Sequence, residues 1–218
     1  MSARIHPLAS LIAAAARGIS GVQVRWAGCR PENRQRIYFA NHTSHLDFVV
    51  LWSALPAQVR AQTRPVAAKD YWEKGVKAYL AQRVFRAVLI RRGGTMREGG
   101  AEEALAQARA VIDQLADALG ETSSLIFFPE GTRGAGEEIA PFRSGLYYLA
   151  KRRPEVELVP ACLENLYRIL PKGEFLPVPL SSMLTFGAPM RIGETEPKDL
   201  FLERARAAVR ALRRKGQS

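Results

Sequence analysis

The chain has 218 residues, enough for one domain with a sizeable hydrophobic core and too few for two ordinary domains. Hydrophobic residues make up 47% and charged residues 24%, a globular balance that excludes global disorder and a fibrous protein. Lysine and arginine outnumber aspartate and glutamate by 32 to 21, and this net charge of +11 predicts an acidic partner: a nucleic acid, an anionic lipid surface or an acidic protein.

The first predicted element is an amphipathic helix near the N-terminus. Apolar residues recur there at helical spacing, namely Leu8, Leu11, Ile12, Ala15, Ile19 and Val22. Arginines flank this stripe, so residues 1–26 are predicted to form an interfacial, membrane-contacting helix, and residues 27–218 a single domain. Two alternatives stay open: the helix packs on the protein's own core, or it begins a signal peptide. A helix that spans the bilayer is not expected, since no apolar run approaches the roughly 18–20 residues required.

Short β-rich runs then alternate with helical runs, which is typical of an α/β domain. Strands are predicted at residues 36–40, 64–69, 86–92, 123–128, 156–164 and 183–187. Helices are predicted at residues 46–55, 70–85, 98–119 and 142–153, and from about 198 onwards. Pro56 ends the first of these helices, the pair Gly93 and Gly94 ends the third strand, and the proline-rich residues 171–179 are predicted to be a loop.

The segment NHTSHLD, residues 41–47, joins the strand at 36–40 to the helix after it. In α/β sheets, ligands gather where strands end and helices begin. With Ser44 as the helix N-cap, Asp47 lies in the first turn, from which its carboxylate can reach back to His42. A carboxylate that holds one imidazole nitrogen leaves the other free to take a proton from a hydroxyl. His42 and Asp47 are therefore a candidate general base and its orienting acid.

Two other interpretations of this segment stay open. In one, Asp47 only caps the helix, and His42 and His45 are polar surface residues. In the other, these three residues bind a metal, because their spacing is similar to that of a binuclear hydrolase motif; other carboxylates or Cys162 would complete the site. The spacing is off by one residue and Phe48 stands where the motif has its last histidine, so a metal is not expected.

A second motif, FFPEGTRG at residues 127–134, follows the predicted strand at 123–128. Its glycines let backbone amides approach an anion closely, and the guanidinium of Arg133 offers paired donors matched to a phosphate. Taken alone, the segment favours a tight charged turn. Its interpretation as an anion site depends on the first motif.

Together, NHTSHLD and FPEGTRG resemble the signature motifs of the glycerophospholipid acyltransferase family, in the family's order and at a similar separation. Weaker similarities, in VAAKDYW, AVLIRRGG, PFRSG and LVPACLE, extend the resemblance over roughly residues 37–165. It implies an α/β fold with a central, mostly parallel mixed sheet flanked by helices. It also implies an O-acyltransferase that moves a fatty acyl group from acyl-CoA or acyl carrier protein to the free hydroxyl of a phosphate-bearing glycerolipid. The first acceptor to expect is 1-acyl-sn-glycerol-3-phosphate, which gives phosphatidic acid; another lysophospholipid or another lipid acceptor is the alternative.

Carried over position by position, the resemblance makes His42 the general base and Asp47 its orienting residue, with His45 in a variable position. It assigns binding of the acceptor phosphate to Glu130, Gly131, Thr132 and Arg133, with support from Lys69, Arg91 and Arg92. Arg91 departs from the family's pattern, so which of the two adjacent arginines faces the phosphate is left open. Neither a metal nor a cofactor is implied, apart from the acyl donor.

The resemblance also indicates which acidic partner the positive net charge attracts. It implies a peripheral enzyme on the cytoplasmic face of the cell membrane, drawn to anionic lipid and to an acidic carrier protein. A nucleic-acid partner is not expected, because the arginines do not alternate with aromatic residues and no helix-turn-helix, RRM-like or zinc-ligand pattern occurs. A catalytically silent lipid-binding module is the remaining alternative.

Overall fold

The computed structural model describes residues 7–44, 46–91, 100–134, 138–166 and 182–213. The strands in these ranges are β1 (Gln23–Trp26), β2 (Arg36–Ala40), β3 (Thr63–Ala68), β4 (Val88–Ile90), β5 (Ser124–Phe127), β6 (Glu157–Glu164) and β7 (Met183–Phe186). The helices are α1 (Pro7–Ser20), α2 (Asp47–Ala54), α3 (Ala57–Gln62), α4 (Lys69–Trp72), α5 (Gly75–Tyr79), α6 (Ala101–Leu119), α7 (Gly145–Arg152) and α8 (Lys198–Ala211), with a π-helical turn at Leu80–Val84.

All these strands belong to one sheet, in the order β1-β7-β6-β2-β5-β3-β4. The strands from β6 to β4 run parallel to one another. Strand β7 pairs antiparallel with β6, and β1 pairs parallel with β7, so the sheet is mixed. Parallel neighbours need long crossover connections, usually helices, which explains the alternation of strand and helix along the chain. The predicted α/β fold with a mostly parallel mixed sheet is confirmed.

The sheet is the middle of three layers. Successive residues of a strand point to opposite faces. From β2, Tyr38 and Ala40 enter the half of the core that also contains α1 and α2, while Ile37 and Phe39 enter the half formed with α6, α7 and α8. All residues of β2 are buried, as expected for a central parallel strand covered on both faces.

Helix α1 packs one side against the core and exposes the other. Ala9 and Ala13 are buried in the same core half as α2, while Leu11 is 66% exposed and Ile19 is also exposed. The alternative that this helix packs on the protein's own core therefore holds for one of its faces. The predicted N-terminal unit, residues 1–26, also contains β1, a strand of the main sheet. Among the described residues, no helix is both long enough and apolar enough to cross a bilayer.

The predicted helix at residues 70–85 differs most from the structure. The chain forms α4, α5 and the π-helical turn there, because Gly75, the first residue of α5, takes a left-handed φ of +59° that a continuous helix does not allow. Strand β1 and helix α3 were not predicted either. The predicted loop at 171–179 and the pair Gly93 and Gly94 lie outside the described residues.

Candidate active site

The candidate site lies at the carboxyl ends of four neighbouring strands. Strands β2, β5, β3 and β4 are adjacent and parallel, so the segments that follow them emerge at one edge of the sheet. NHTSHLD follows β2 and FPEGTRG follows the end of β5. Lys69 directly follows β3, and Arg91 directly follows β4. The topology thus brings together residues that are distant in the sequence.

His42 and Asp47 form the predicted pair. The imidazole Nδ1 lies 2.8 Å from Asp47 Oδ2, so Nδ1 donates to the carboxylate and Nε2 is left to exchange a proton. The same carboxylate oxygen accepts backbone hydrogen bonds from Thr43 at 2.5 Å and Ser44 at 2.8 Å. Asp47 is fully buried, whereas the His42 side chain is partly exposed and lines a groove. The arrangement fixes both the tautomer and the orientation of the ring.

The start of α2 differs in detail from the prediction. The helix begins at Asp47, and the Ser44 hydroxyl accepts from the Leu46 amide at 3.3 Å and does not act as the expected N-cap for Asp47. The reverse bond of a capping box does occur, since the Asp47 carboxylate accepts from the Ser44 amide. Asp47 therefore both stabilises the turn before α2 and holds His42.

The side chain of Asn41 hydrogen-bonds this turn to the sheet. Its side-chain oxygen accepts from the backbone N–H of Leu163 at 2.8 Å, and its amide donates to the Leu163 carbonyl at 2.9 Å. These two bonds extend the β2–β6 pairing by one side chain, directly before His42. An amide residue at the end of a buried strand was the available sequence signal, but the sequence does not identify its partner.

Glu130 holds the backbone of His42. One carboxylate oxygen accepts from the His42 N–H at 2.7 Å, and the other accepts from the Ala140 N–H at 2.9 Å. Burial raises the pKa of this carboxyl above its ordinary value, although the two amide bonds oppose that effect. Glu130 was predicted to help bind the acceptor phosphate. The residue is instead 4% exposed, its carboxylate accepts two backbone amides, and it does not line the groove.

The FPEGTRG segment makes two more contacts with His42. The Gly134 amide donates to the His42 carbonyl at 2.8 Å, so both backbone polar groups of His42 are bonded to this segment. The ring of Phe128 stacks on the imidazole with 4.4 Å between centroids and 23° between planes. Neither contact was predicted, because both join residues far apart in the sequence.

A groove of about 1460 Å³ opens beside His42. The predicted residues that line it are Lys69, Arg91, Gly131, Thr132 and Arg133. Arg143 is a further cation in its wall, and its side chain lies against Gly131, where a Cβ would come within 2.8 Å of Arg143 Cδ. Apolar residues form another part of the wall, among them Phe48, Val66, Trp72, Leu89, Ile90 and Ile112. The groove can therefore take a ligand with both an anionic and an apolar part.

Two predicted residues, His45 and Arg92, lie outside the described residues, and their assignments stay predictions. Cys162, considered above as a metal ligand, is fully buried in the core half beneath α8. Burial raises the pKa of its thiol to about 12. In the part of the chain that the structure describes, no three His, Cys, Asp or Glu side chains are grouped to hold a metal ion.

A family model described as Acyltransferase matches residues 22–164, which include both motifs and every strand of the site. The chain belongs to this acyltransferase family. The resemblance inferred from NHTSHLD and FPEGTRG is thereby confirmed. The matched region begins before β1, so this acyltransferase-family domain includes the edge strand that the sequence patterns did not predict.

Two curated relatives are similar to this acyltransferase-family chain. The 1-acyl-sn-glycerol-3-phosphate acyltransferase of Limnanthes douglasii is 28% identical over 167 residues, covering 75% of this chain and 53% of the relative. The enzyme of the same description from Limnanthes alba is 27% identical over 165 residues, covering 74% and 53%. The chain spans about half the length of these curated relatives.

Among solved structures, the fold is similar to that of PlsC, the 1-acyl-sn-glycerophosphate acyltransferase of Thermotoga maritima. The TM-score is 0.67 at 20% sequence identity, and the match covers 94% of this chain and 77% of that one. At this identity the likeness supports the fold described above.

Proposed function

We propose that this protein transfers a fatty acyl group from a thioester donor, acyl-CoA or acyl carrier protein, to the free hydroxyl of a phosphate-bearing glycerolipid. The observation that carries the proposal is the His42–Asp47 pair, which opens onto a groove lined by both cations and apolar side chains. The acceptor we favour is 1-acyl-sn-glycerol-3-phosphate, which is named in the descriptions of the two Limnanthes relatives. Another lysophospholipid or another lipid is the alternative acceptor.

In this mechanism His42 acts as the general base. The acceptor hydroxyl gives its proton to Nε2 as its oxygen attacks the thioester carbonyl carbon. The C–S bond then breaks, the new ester C–O bond remains, and the departing sulfur takes the proton back from the imidazolium. Asp47 stabilises the imidazolium through its bond to Nδ1. The acyl group passes directly to the acceptor, so no acyl-enzyme forms.

The cations of the groove are suited to the acceptor phosphate. Arg133, Lys69, Arg91 and Arg143 line the same groove as His42. Guanidinium groups bind phosphate through two parallel hydrogen bonds, and an ammonium group acts as a point charge. Holding the phosphate there would place the glycerol hydroxyl beside His42, and the apolar wall would take an acyl chain.

We further propose that the protein meets an anionic membrane peripherally through α1. Leu11, Ala15 and Ile19 are exposed at a spacing of four residues, so they form one apolar row along the helix. A net charge of +11 favours an anionic lipid surface. The cytoplasmic face of the membrane stays the predicted location.

The test is acceptor-dependent thiol release by the purified protein. Acyl-CoA and acyl carrier protein serve as donors, with 1-acylglycerol-3-phosphate, glycerol-3-phosphate or no acceptor, each with and without EDTA. We expect release that needs the acceptor, survives EDTA, and is lost in His42→Ala but largely retained in His45→Ala. Equal losses in the two variants would refute His42 as the base. EDTA-sensitive hydrolysis would support a metal site, and no release with any acceptor would support a silent lipid-binding module.

A further inference from the structure

The segment of α4 and α5 exposes apolar side chains on its surface. The structure describes every residue of these two helices, and none is buried. Val76 is 75% exposed, and the rings of Tyr71 and Tyr79 are also exposed. Helices of four and five residues are not stable in water without packing. Exposed apolar groups that lie together on a surface are typical of sites that bind a protein or a membrane.

The segment projects from the body of the protein. Residues 73–77 are all exposed, and a Cβ added at Gly75 would meet no atom within 4 Å. Its two ends are anchored, because Trp72 and Leu80 pack against the core. The Trp72 ring meets Phe48 edge to face at 5.4 Å between centroids. Val76 therefore lies at an exposed tip whose two ends are held by the core.

Cations surround the exposed apolar groups. Lys74 and Lys77 flank Val76, both exposed, and Lys77 Nζ lies 3.9 Å from the centroid of the Tyr71 ring. From residue 69 to residue 86 the chain carries five basic and two acidic residues. Lysine can lay its alkyl chain along apolar surface while its ammonium reaches lipid headgroups, and tyrosine favours the same boundary. This charge pattern is complementary to an anionic bilayer.

The segment lies next to the groove, where a lipid could enter from a bilayer. Tyr71 and Trp72 line the groove that contains His42, so the segment borders an opening of the groove. Trp72 also packs in the core half that receives Leu8 and Ile12 of α1. The segment and α1 therefore lie on the same side of the sheet, where a single bilayer can meet both.

We propose that Tyr71, Lys74, Val76, Lys77 and Tyr79, here called the α4–α5 surface, bind an anionic bilayer. Val76 enters the apolar boundary of the leaflet, the tyrosine rings lie at the headgroup level, and the lysines contact lipid phosphates. The role of this contact, delivering a lipid acceptor to the groove, rests on the proposed function. Binding to the bilayer does not, because it requires no chemistry at His42.

The test is flotation of the full chain with vesicles of phosphatidylcholine alone or mixed with phosphatidylglycerol. For Val76→Asp we expect binding to the mixed vesicles about tenfold weaker, a change of ~1.4 kcal/mol. The double variant Lys74→Glu, Lys77→Glu should lose at least as much on mixed vesicles, and its remaining binding should depend less steeply on salt than that of the wild type. The control is Leu200→Asp on α8, a leucine 65% exposed on the opposite side of the sheet, which should bind like the wild type.

Wild-type binding by Val76→Asp, or an equal loss in Leu200→Asp, would overturn the proposal. So would a Val76→Asp variant that keeps its vesicle binding and loses only the use of acyl carrier protein, since the surface would then receive the carrier. With acyl-CoA and a water-soluble short-chain acceptor, Val76→Asp should keep wild-type turnover, because Val76 does not line the groove. If vesicle binding falls as expected but the wild type transfers no acyl group, the surface stands and the proposed function fails.

Discussion

Replacing Glu130 with glutamine tests how the site is held. The wild-type carboxylate accepts the amides of His42 and Ala140, one on each oxygen. Glutamine offers one carbonyl oxygen, so one of the two amides would face an NH₂ group. A buried amide without an acceptor costs about 1–3 kcal/mol. Relief of the buried charge offsets part of this, so we expect the free energy of unfolding to fall by about 1–2 kcal/mol.

The same change should lower kcat. His42 would lose its amide anchor while its carbonyl bond to Gly134 and its bond to Asp47 remain. Because a displacement of about 1 Å can cost about a hundredfold in rate, we expect kcat to fall roughly ten- to a hundredfold. The KM for the acceptor should change little, since the carboxylate lies outside the groove wall.

Urea denaturation and steady-state thiol release would measure the two effects. Glu138→Gln is the matched control, because Glu138 is exposed on the same connection. Wild-type stability and kcat in Glu130→Gln would refute the positioning role. A raised acceptor KM with unchanged kcat would instead return Glu130 to the phosphate site that the resemblance implied.

Three further predictions concern the same site. Burial raises the pKa of Glu130 from 4.5, so the folded state holds this proton more tightly than the unfolded state does. The free energy of unfolding should therefore fall as pH rises through the window just above 4.5. Glu130→Gln should flatten that slope in urea titrations. Asp47→Asn should lower kcat by on the order of 10²–10⁴ at a similar acceptor KM, because the His42 tautomer and imidazolium lose their support; a loss below tenfold in steady-state assays would argue against a base at His42. Arg133→Ala should mainly raise the acceptor KM, while Arg34→Ala, an exposed arginine before β2, should not; an unchanged KM in Arg133→Ala would place the phosphate elsewhere.

The sequence contained enough to predict the central sheet and the convergence of the two motifs. Buried strands such as β2 appear as continuous apolar runs, and their order along the chain indicates parallel pairing. The five-residue separation of His42 and Asp47 was sufficient to predict their contact, because only local backbone geometry is involved. The edge strand β1 was not predicted, because its short run of alternating residues is mostly exposed and follows directly on Val22, which fits the apolar stripe of the predicted N-terminal helix.

The bonds that hold His42 from outside its own motif could not be predicted. Glu130 and Asn41 act through partners 88 and 122 residues away, and no local pattern encodes which backbone group each will meet. The resemblance suggested phosphate binding for Glu130, since it stands in the same motif as Arg133. In the structure, Glu130 is buried behind the groove, whereas Arg133 lines it.

The bonding of both backbone polar groups of His42 to the FPEGTRG segment also bears on how the site forms during folding. The N–H bond joins residues 88 positions apart, so it can form only after β5 has docked beside β2. Contacts of such large sequence separation are slow to form, because the loop-closure entropy is lost before the contact is gained. A nascent or partly refolded chain can therefore contain the local His42–Asp47 turn while the backbone of His42 is still unanchored. The complete site therefore forms late in folding, only after the central sheet has assembled.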